Sequence, residues 1–183
     1  MRYYVMKAEN KMSLPKAEKC TDIKTVTEVE LNSFNGIDYD MDSALISESL
    51  KKLMELYMPK YDFKPFVYMV PLDEQDMLEY IAEANRAKGN KSLEAKLQSP
   101  QPSQTIFWRF EPPKLKLDVD YKAVFGSNGL ISHISFLGKS MPIVFTACSP
   151  KGVSSVVVRM AVAESALRRN FLSLKFKRLL ETQ

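Results

Sequence analysis

The sequence predicts an α+β fold with a mainly antiparallel sheet and two or three helices. Segments in which apolar and polar residues alternate, as in strands, are grouped along the chain. Only two or three segments have helical periodicity, as is typical of this class. The turn sequence Ser149-Pro150-Lys151-Gly152 joins two of the strands into a predicted antiparallel pair. Because neither side of the polar stretch 89–103 contains a convincing core of its own, residues 1–183 are predicted to form a single domain.

The N-terminal part of the chain begins with two predicted strands. Residues 2–8 are aromatic and β-branched, which favours a strand. Residues 23–31 alternate with period two, which predicts an exposed strand. Residues 32–41 are rich in turn formers and separate these strands from the first helix.

The clearest helix is predicted over residues 47–57. One apolar stripe at helical spacing is formed by Leu50, Leu53, Met54 and Tyr57. Ser47 is a suitable N-cap for this helix. The strand predicted over residues 63–70 must have Pro65 at its start or on an edge, because proline has no amide hydrogen to donate.

The second half of the chain is predicted to be mostly strands. They are placed at residues 105–110, 114–119, 130–136, 141–148, 153–162 and 172–180. Helices are predicted over residues 73–88 and 163–171.

Charge is distributed unevenly along the chain. The formal net charge is +4, but residues 36–83 contain eleven acidic and four basic residues, a net of −7, and the remainder has a net of +11. Such segregation concerns partners and association rates more than fold. The sequence therefore predicts an acidic partner-binding surface, with a merely solvated face as the equal alternative. Its candidate residues are Asp38, Asp40, Asp42, Asp73, Glu74, Asp76, Glu79 and Glu83.

The residues that usually carry catalysis are few. His133 is the only histidine, and Cys20 and Cys148 lie 128 positions apart, so neither a zinc site nor a nucleophilic triad is expected. The run from Asp38 to Asp42 has alternating acids, but it lacks the glycine and the distal glutamate of an EF-hand. The sequence predicts no enzyme activity, no cofactor and no metal. Unpaired cysteines, with no signal peptide and no transmembrane segment, predict a cytoplasmic protein.

Three segments in order resemble bacterial immunity proteins of polymorphic toxin systems. Residues 1–7 (MRYYVMK) are similar to the MKYYVLK-type start of that family. Residues 44–53 (ALISESLKKL), followed by 63–67 (FKPFV), are similar to its middle segment, and residues 156–169 end in AESALRR, similar to its AESxLRR-type C-terminal helix. The chain departs from the pattern at residues 170–173, where relatives have a turn that contains glycine, and it is longer over residues 73–104.

The AESALRR segment also has a physical interpretation. Glu164 and Arg168 are four residues apart, the spacing of an ion pair along a helix, and Leu167 is expected on the buried side. Arg168 and Arg169 near the helix end suit the helix dipole. The motif is therefore predicted to be structural, fixing a helix to the sheet.

The resemblance implies a protein that binds and inhibits a cognate bacterial toxin without catalysis of its own. An acidic surface would suit a basic toxin such as a nuclease. The alternative is a nucleic-acid-binding module that uses the basic C-terminal region. Neither function involves a membrane.

Overall fold

The structure is a computed structural model and describes residues 1–10, 12–71, 82–83, 86, 104–138 and 142–182. It confirms the α+β class with mostly antiparallel pairing. The chain forms two compact units, and each is described here by itself. Unit 1 contains Met1–Glu9, Ser49–Asp62 and Glu111–Gln183, and unit 2 contains Asn10–Glu48 and Phe63–Phe110. The single domain 1–183 stays a prediction.

The elements are numbered in chain order within the described residues. The helices are α1 (Glu28–Ser33), α2 (Glu48–Tyr57) and α3 (Met160–Arg168). The strands are β1 (Tyr3–Ala8), β2 (Ile23–Thr25), β3 (Tyr39–Asp40), β4 (Leu45–Ile46), β5 (Pro65–Met69), β6 (Gln104–Arg109), β7 (Tyr121–Phe125), β8 (Ile131–Phe136), β9 (Val144–Cys148), β10 (Ser154–Arg159), β11 (Leu174–Arg178) and β12 (Leu180–Glu181).

Unit 1 is built on a four-stranded antiparallel sheet with the order β11-β1-β10-β9. A second sheet of three strands has the order β12-β8-β7, with β12 parallel to β8. Side chains of both sheets form one core, since odd-numbered residues of β1 and β10 share it with residues of β7 and β8. Its buried members are Tyr3, Val5, Tyr121, Ile131, Ile134, Phe145, Ala147, Val157 and Leu179.

The predicted β9–β10 hairpin is present. Ser154 pairs with Cys148 and the antiparallel register continues to Val158 and Val144. Gly152 adopts a φ of +83°, and its amide donates to the carbonyl oxygen of Ser149 at 2.9 Å. Glycine tolerates this left-handed conformation at no steric cost, which explains why the turn sequence was informative.

Unit 2 contains a five-stranded sheet with the order β2-β5-β6-β4-β3. Pro65 is the first residue of β5, one of the two positions that its missing amide hydrogen allows. The core of this unit consists of Leu14, Ala17, Val26, Leu31, Phe34, Ile37, Leu45, Phe66, Tyr68 and Phe107.

The strand predicted over residues 23–31 is wrong beyond Thr25, because α1 begins at Glu28. Thr27 and Glu30 form a capping box: the Thr27 hydroxyl oxygen accepts from the Glu30 amide at 3.1 Å, and the Glu30 carboxylate accepts from the Thr27 amide at 3.2 Å. This exchange satisfies two amides at the helix start. The Thr-x-x-Glu spacing of Thr27 and Glu30 indicates the start of a helix. The period-two alternation of residues 23–31 led instead to the prediction of a strand.

Further differences from the predictions concern the strands and the last helix. Residues 114–119 form isolated bridges at Lys114 and Leu117 rather than a strand, and β7 was not predicted at all. Helix α3 begins at Met160, so the preceding strand ends at Arg159 instead of residue 162. The helix predicted over residues 73–88 lies outside the described residues, except for positions 82, 83 and 86.

Candidate functional site

The acidic run predicted as a partner surface lies around the loop that joins β3 to β4 in unit 2. Asp40, at the end of β3, is only 3% exposed. Its carboxylate accepts hydrogen bonds from the backbone amides of Leu14 at 2.7 Å and Ser43 at 3.0 Å. Asp40 therefore binds two segments of its own unit together. The prediction that Asp40 faces a partner is wrong, because its oxygen atoms point to these internal donors.

The other two aspartates of the run differ from Asp40. Asp38 is half-buried, and its side chain accepts a hydrogen bond of 2.9 Å from the hydroxyl of Ser47. Asp42 is exposed, as is its neighbour Met41, which is 42% exposed. The tip of the loop thus presents one carboxylate and one flexible apolar side chain. We call Met41 and Asp42 the loop tip.

The loop tip is carried on a well-defined backbone. Ala44 has a φ of +50°, a conformation that costs a residue with a Cβ atom about 1–2 kcal/mol. Its carbonyl oxygen accepts from the Phe110 amide at 2.8 Å, and the Ser43 hydroxyl oxygen accepts from the Ala17 amide at 3.4 Å. These bonds to neighbouring segments hold the strained residue in place. Strained loops on rigid scaffolds are frequent at binding sites.

Most of the remaining acidic candidates cannot be assigned to a surface. Asp73, Glu74, Asp76 and Glu79 lie outside the described residues. Glu83 is described and exposed. An additional exposed acid in unit 2, Glu48, accepts a hydrogen bond of 2.6 Å from the indole nitrogen of the buried Trp108. Sequence reasoning did not single out this pair.

The AESALRR segment forms α3, but its burial differs from the prediction. Leu167 is 60% exposed, and the buried residues of the helix are Val162, Ala163 and Ala166. Leu167 was expected on the buried side because Val162 was assigned to the preceding strand. With Val162 in the helix, the buried face contains Val162, Ala163 and Ala166 and leaves Leu167 outside it. Glu164 and Arg168 are both exposed, and the described ion pairs include none between them.

The C-terminal end of α3 has an asparagine in the left-handed conformation that glycine often adopts at this position. Arg169 is the C-cap, and Asn170 adopts a φ of +58°. The amide of Asn170 donates to the carbonyl of Leu167 at 3.2 Å, and the amide of Phe171 donates to that of Ala166 at 3.4 Å. This pattern is a Schellman motif, in which asparagine takes the left-handed position that glycine usually fills.

His133 lies on β8 in unit 1, beside a bulge at Ser132. The Ser132 hydroxyl is 2.8 Å from His133 Nδ1 and donates a bond of 3.2 Å to the carbonyl oxygen of Val124. On either side of the bulge, Ile131 and Ile134 are the buried residues of β8.

Several tyrosines of unit 2 are buried close to Asp40. Tyr39 is 4% exposed and Tyr68 is fully buried. Burial raises the pKa of both phenols, and the nearby negative charge of Asp40 raises each pKa further. The Tyr68 hydroxyl donates to the carbonyl oxygen of Pro15. Both groups therefore stay protonated and neutral in ordinary buffers.

The described residues also limit other kinds of site. Within them, no group of three or more His, Cys, Asp or Glu side chains could hold a metal ion. Cys20 is an exposed free thiol and Cys148 a half-buried one. No helix in the described part of the chain has the length and apolar character needed to cross a bilayer.

Comparison of the chain with families of proteins, with curated proteins and with solved structures finds no match.

Proposed function

We propose that this chain is a toxin-neutralising immunity protein, which binds a cognate bacterial toxin and blocks it without catalysis. The observation that carries the proposal is the pairing of the first and last resembling segments. Residues 1–7 form β1, and residues 156–169 form most of β10 together with α3. Tyr3 pairs with Arg159 and Met6 with Val156 in one antiparallel register. Segments from opposite ends of the chain thus form one connected part of unit 1, which supports treating their resemblance as a single signal.

In this proposal, the toxin is contacted through the loop tip and through the rest of residues 36–83, which we call the acidic segment. Asp42 supplies an exposed carboxylate, and Met41 supplies an apolar side chain that adapts to irregular surfaces. Asp40 contributes by fixing the loop, and not by contact. Negative charge of this kind favours a basic partner surface, such as the substrate groove of a nuclease, and accelerates encounter.

Co-expression tests the proposal directly. A toxin domain, sought among the genes adjacent to that of this chain, is induced in a bacterial host, with or without the chain. We expect the chain to restore growth and to co-purify with the toxin in a stable complex. Asp42→Lys is the test variant, because Asp42 lies in the acidic segment. Glu18→Lys is its matched control: it also reverses an exposed acid of unit 2, but Glu18 lies outside the acidic segment. Growth arrest that persists in the presence of folded chain would contradict the proposal.

A nucleic-acid-binding module remains the second candidate because of one specific feature. Lys175, Lys177 and Arg178 are all exposed on the five-residue strand β11. A titration with generic duplex DNA at increasing salt tests it, since phosphate contacts give a steep salt dependence. Binding that weakens steeply with salt and is lost in Lys177→Glu would favour this candidate over the immunity function.

A further inference from the structure

Strand β11 is an edge of the four-stranded sheet in unit 1, and its backbone is open on one side. At one end of its pairing with β1, the Leu179 amide donates to the carbonyl of Tyr3 at 2.9 Å. At the other end, the Glu9 amide donates to the carbonyl of Ser173 at 2.8 Å. In an antiparallel ladder, hydrogen-bonded pairs alternate with pairs that face away.

This alternation fixes which backbone groups of β11 are directed outward. Lys175 and Lys177 belong to hydrogen-bonded pairs, so their backbone N–H and C=O groups point toward β1. Phe176 and Arg178 fall in the other phase, so their N–H and C=O groups point away from the sheet. Within the described residues, no backbone partner is present on that side of Phe176 or Arg178.

The opposite edge of the same sheet is covered. On β9, the Thr146 amide donates to the carbonyl of Pro113 at 2.8 Å, and the Leu115 amide donates to the carbonyl of Thr146 at 3.2 Å. A connecting segment of unit 1 thus occupies the edge at β9. On β11, within the described residues, the outward groups of Phe176 and Arg178 have no backbone partner, and the pairing of β12 with β8 begins two residues after Arg178, at Leu180. Open edges of this kind accept an added strand.

The side chains of β11 indicate the chemistry of that strand. Lys175, Lys177 and Arg178 are exposed. Among the described residues, Lys175 is the one of the three with an ion pair, at 3.9 Å between its ammonium and the Glu9 carboxylate. A second copy of the chain would set lysines against lysines across the edge, which is destabilising. A nucleic acid could use the cations, but its phosphates accept hydrogen bonds and would leave the outward carbonyls unpaired. An acidic peptide satisfies the cations, the amides and the carbonyls together.

We propose that the β11 edge binds an extended, acidic segment of a partner protein, which adds to the sheet as a fifth strand. The inference goes beyond the proposed function, because it rests on unit 1 and its cations and does not require a toxin.

Amide hydrogen exchange of the full chain, measured by NMR, tests this inference. The probe is a capped ten-residue peptide of alternating valine and glutamate, with an alternating valine–lysine peptide of the same length as its control. We expect the acidic peptide to slow exchange at the amides of Phe176 and Arg178 by about tenfold or more at saturation, since these amides gain a partner. The amides of Lys175 and Lys177 should change little, because they are already bonded to β1.

Four variants separate the charge of the edge from its backbone. Lys177→Glu/Arg178→Glu should abolish binding of the acidic peptide, whereas Lys122→Glu, at an exposed lysine of β7, should not. Arg178→Ala removes one charge and keeps its amide, and Arg178→Pro also removes the outward N–H. Proline is tolerated on an edge where the amide faces solvent, so Arg178→Pro should fold and bind the peptide more weakly than Arg178→Ala.

Each other outcome overturns the inference. Absence of binding does so, as does binding of the acidic peptide without slower exchange at Phe176 and Arg178. Protection of the same amides by the valine–lysine peptide would contradict the charge argument. Saturable binding of an oligothymidine single strand at β11, without binding of the peptide, would assign the edge to nucleic acid instead.

Discussion

The carboxylate of Asp40 accepts a hydrogen bond of 2.7 Å from the backbone amide of Leu14, 26 residues earlier in the chain. A second oxygen of the same carboxylate accepts from the amide of Ser43. An aspartate that looked like part of an acidic surface is therefore an internal acceptor of unit 2. It leaves Asp42 as the exposed carboxylate of the loop.

Replacing Asp40 should destabilise the protein, whereas replacing Asp42 should not. Asp40→Ala leaves two backbone amides without their charged acceptor, so we expect a loss of about 2 kcal/mol in the free energy of unfolding. Asp42→Ala removes an exposed side chain and should change it by less than about 0.5 kcal/mol. Urea denaturation of both variants measures the difference, and equal stabilities would refute the internal role of Asp40.

The left-handed residue at the end of α3 makes a second prediction. Asn170→Gly should keep the stability within about 0.5 kcal/mol of the original, because glycine adopts a positive φ without strain. Asn170→Val should lower it by about 1–2 kcal/mol, because a β-branched residue resists this conformation. Leu172→Val, at a position 86% exposed and without a positive φ, is the control. A tolerated valine at position 170 would exclude the Schellman geometry.

A third prediction follows from the face that α3 buries. Val162 is fully buried and Leu167 is 60% exposed. Val162→Ala should therefore cost about 1–3 kcal/mol through lost packing, and Leu167→Ala less than about 0.5 kcal/mol. Thermal unfolding of the two variants ranks them, and the reverse order would mean that Leu167 anchors the helix after all.

Local patterns predicted the parts of this fold that local chemistry determines. The apolar stripe of α2 is confirmed by the burial of Leu50, Leu53 and Met54. The β9–β10 turn is confirmed because Gly152 has the conformation that its turn requires. Both signals lie within a few residues of the structure that they specify.

The errors arise where a distant contact or a helix start decides the outcome. The direction of the Asp40 carboxylate depends on Leu14, which no pattern around residue 40 contains. The buried face of α3 includes Val162, which had been assigned to the preceding strand, and this face leaves Leu167 exposed. The candidate surface was therefore predicted as a segment of charge, but not as the individual residues that face outward.

Stability should fall at alkaline pH because of the buried phenols. The pKa of Tyr39 is raised in the folded state by burial and by Asp40, relative to about 10 in the unfolded chain. Above pH 10 the unfolded chain releases this proton and the folded chain keeps it. The free energy of unfolding then decreases by up to about 1.4 kcal/mol per pH unit for such a group. Below pH 10 the neutral phenol makes its full contribution to stability.

Urea denaturation between pH 8 and pH 11 measures this decrease. Tyr39→Phe removes one of the phenols and should give a shallower decline above pH 10. An identical slope in the variant and the original protein would show that Tyr39 does not titrate abnormally.

Charge reversal of the acidic segment should act on the association with the toxin. Lysine substitution of Asp73, Glu74 and Asp76, or of Asp42 alone, should slow association and flatten its salt dependence, with the triple variant slower by about tenfold at low salt. Dissociation should change less, because it depends on buried contacts. Stopped-flow kinetics with Glu18→Lys as the control tests this. Unchanged association rates would mean that the acidic segment is a solvated face without a role in toxin binding.

The most direct test of the proposed function is a titration of the toxin's activity with the purified chain. The candidate toxin domain, sought among the neighbouring genes, is held at a fixed concentration, and its residual activity is measured as the chain is added. A neutralising protein should abolish the activity at a defined molar equivalence, and Asp42→Lys should require a higher concentration. Full toxin activity at a large excess of folded chain would contradict the account.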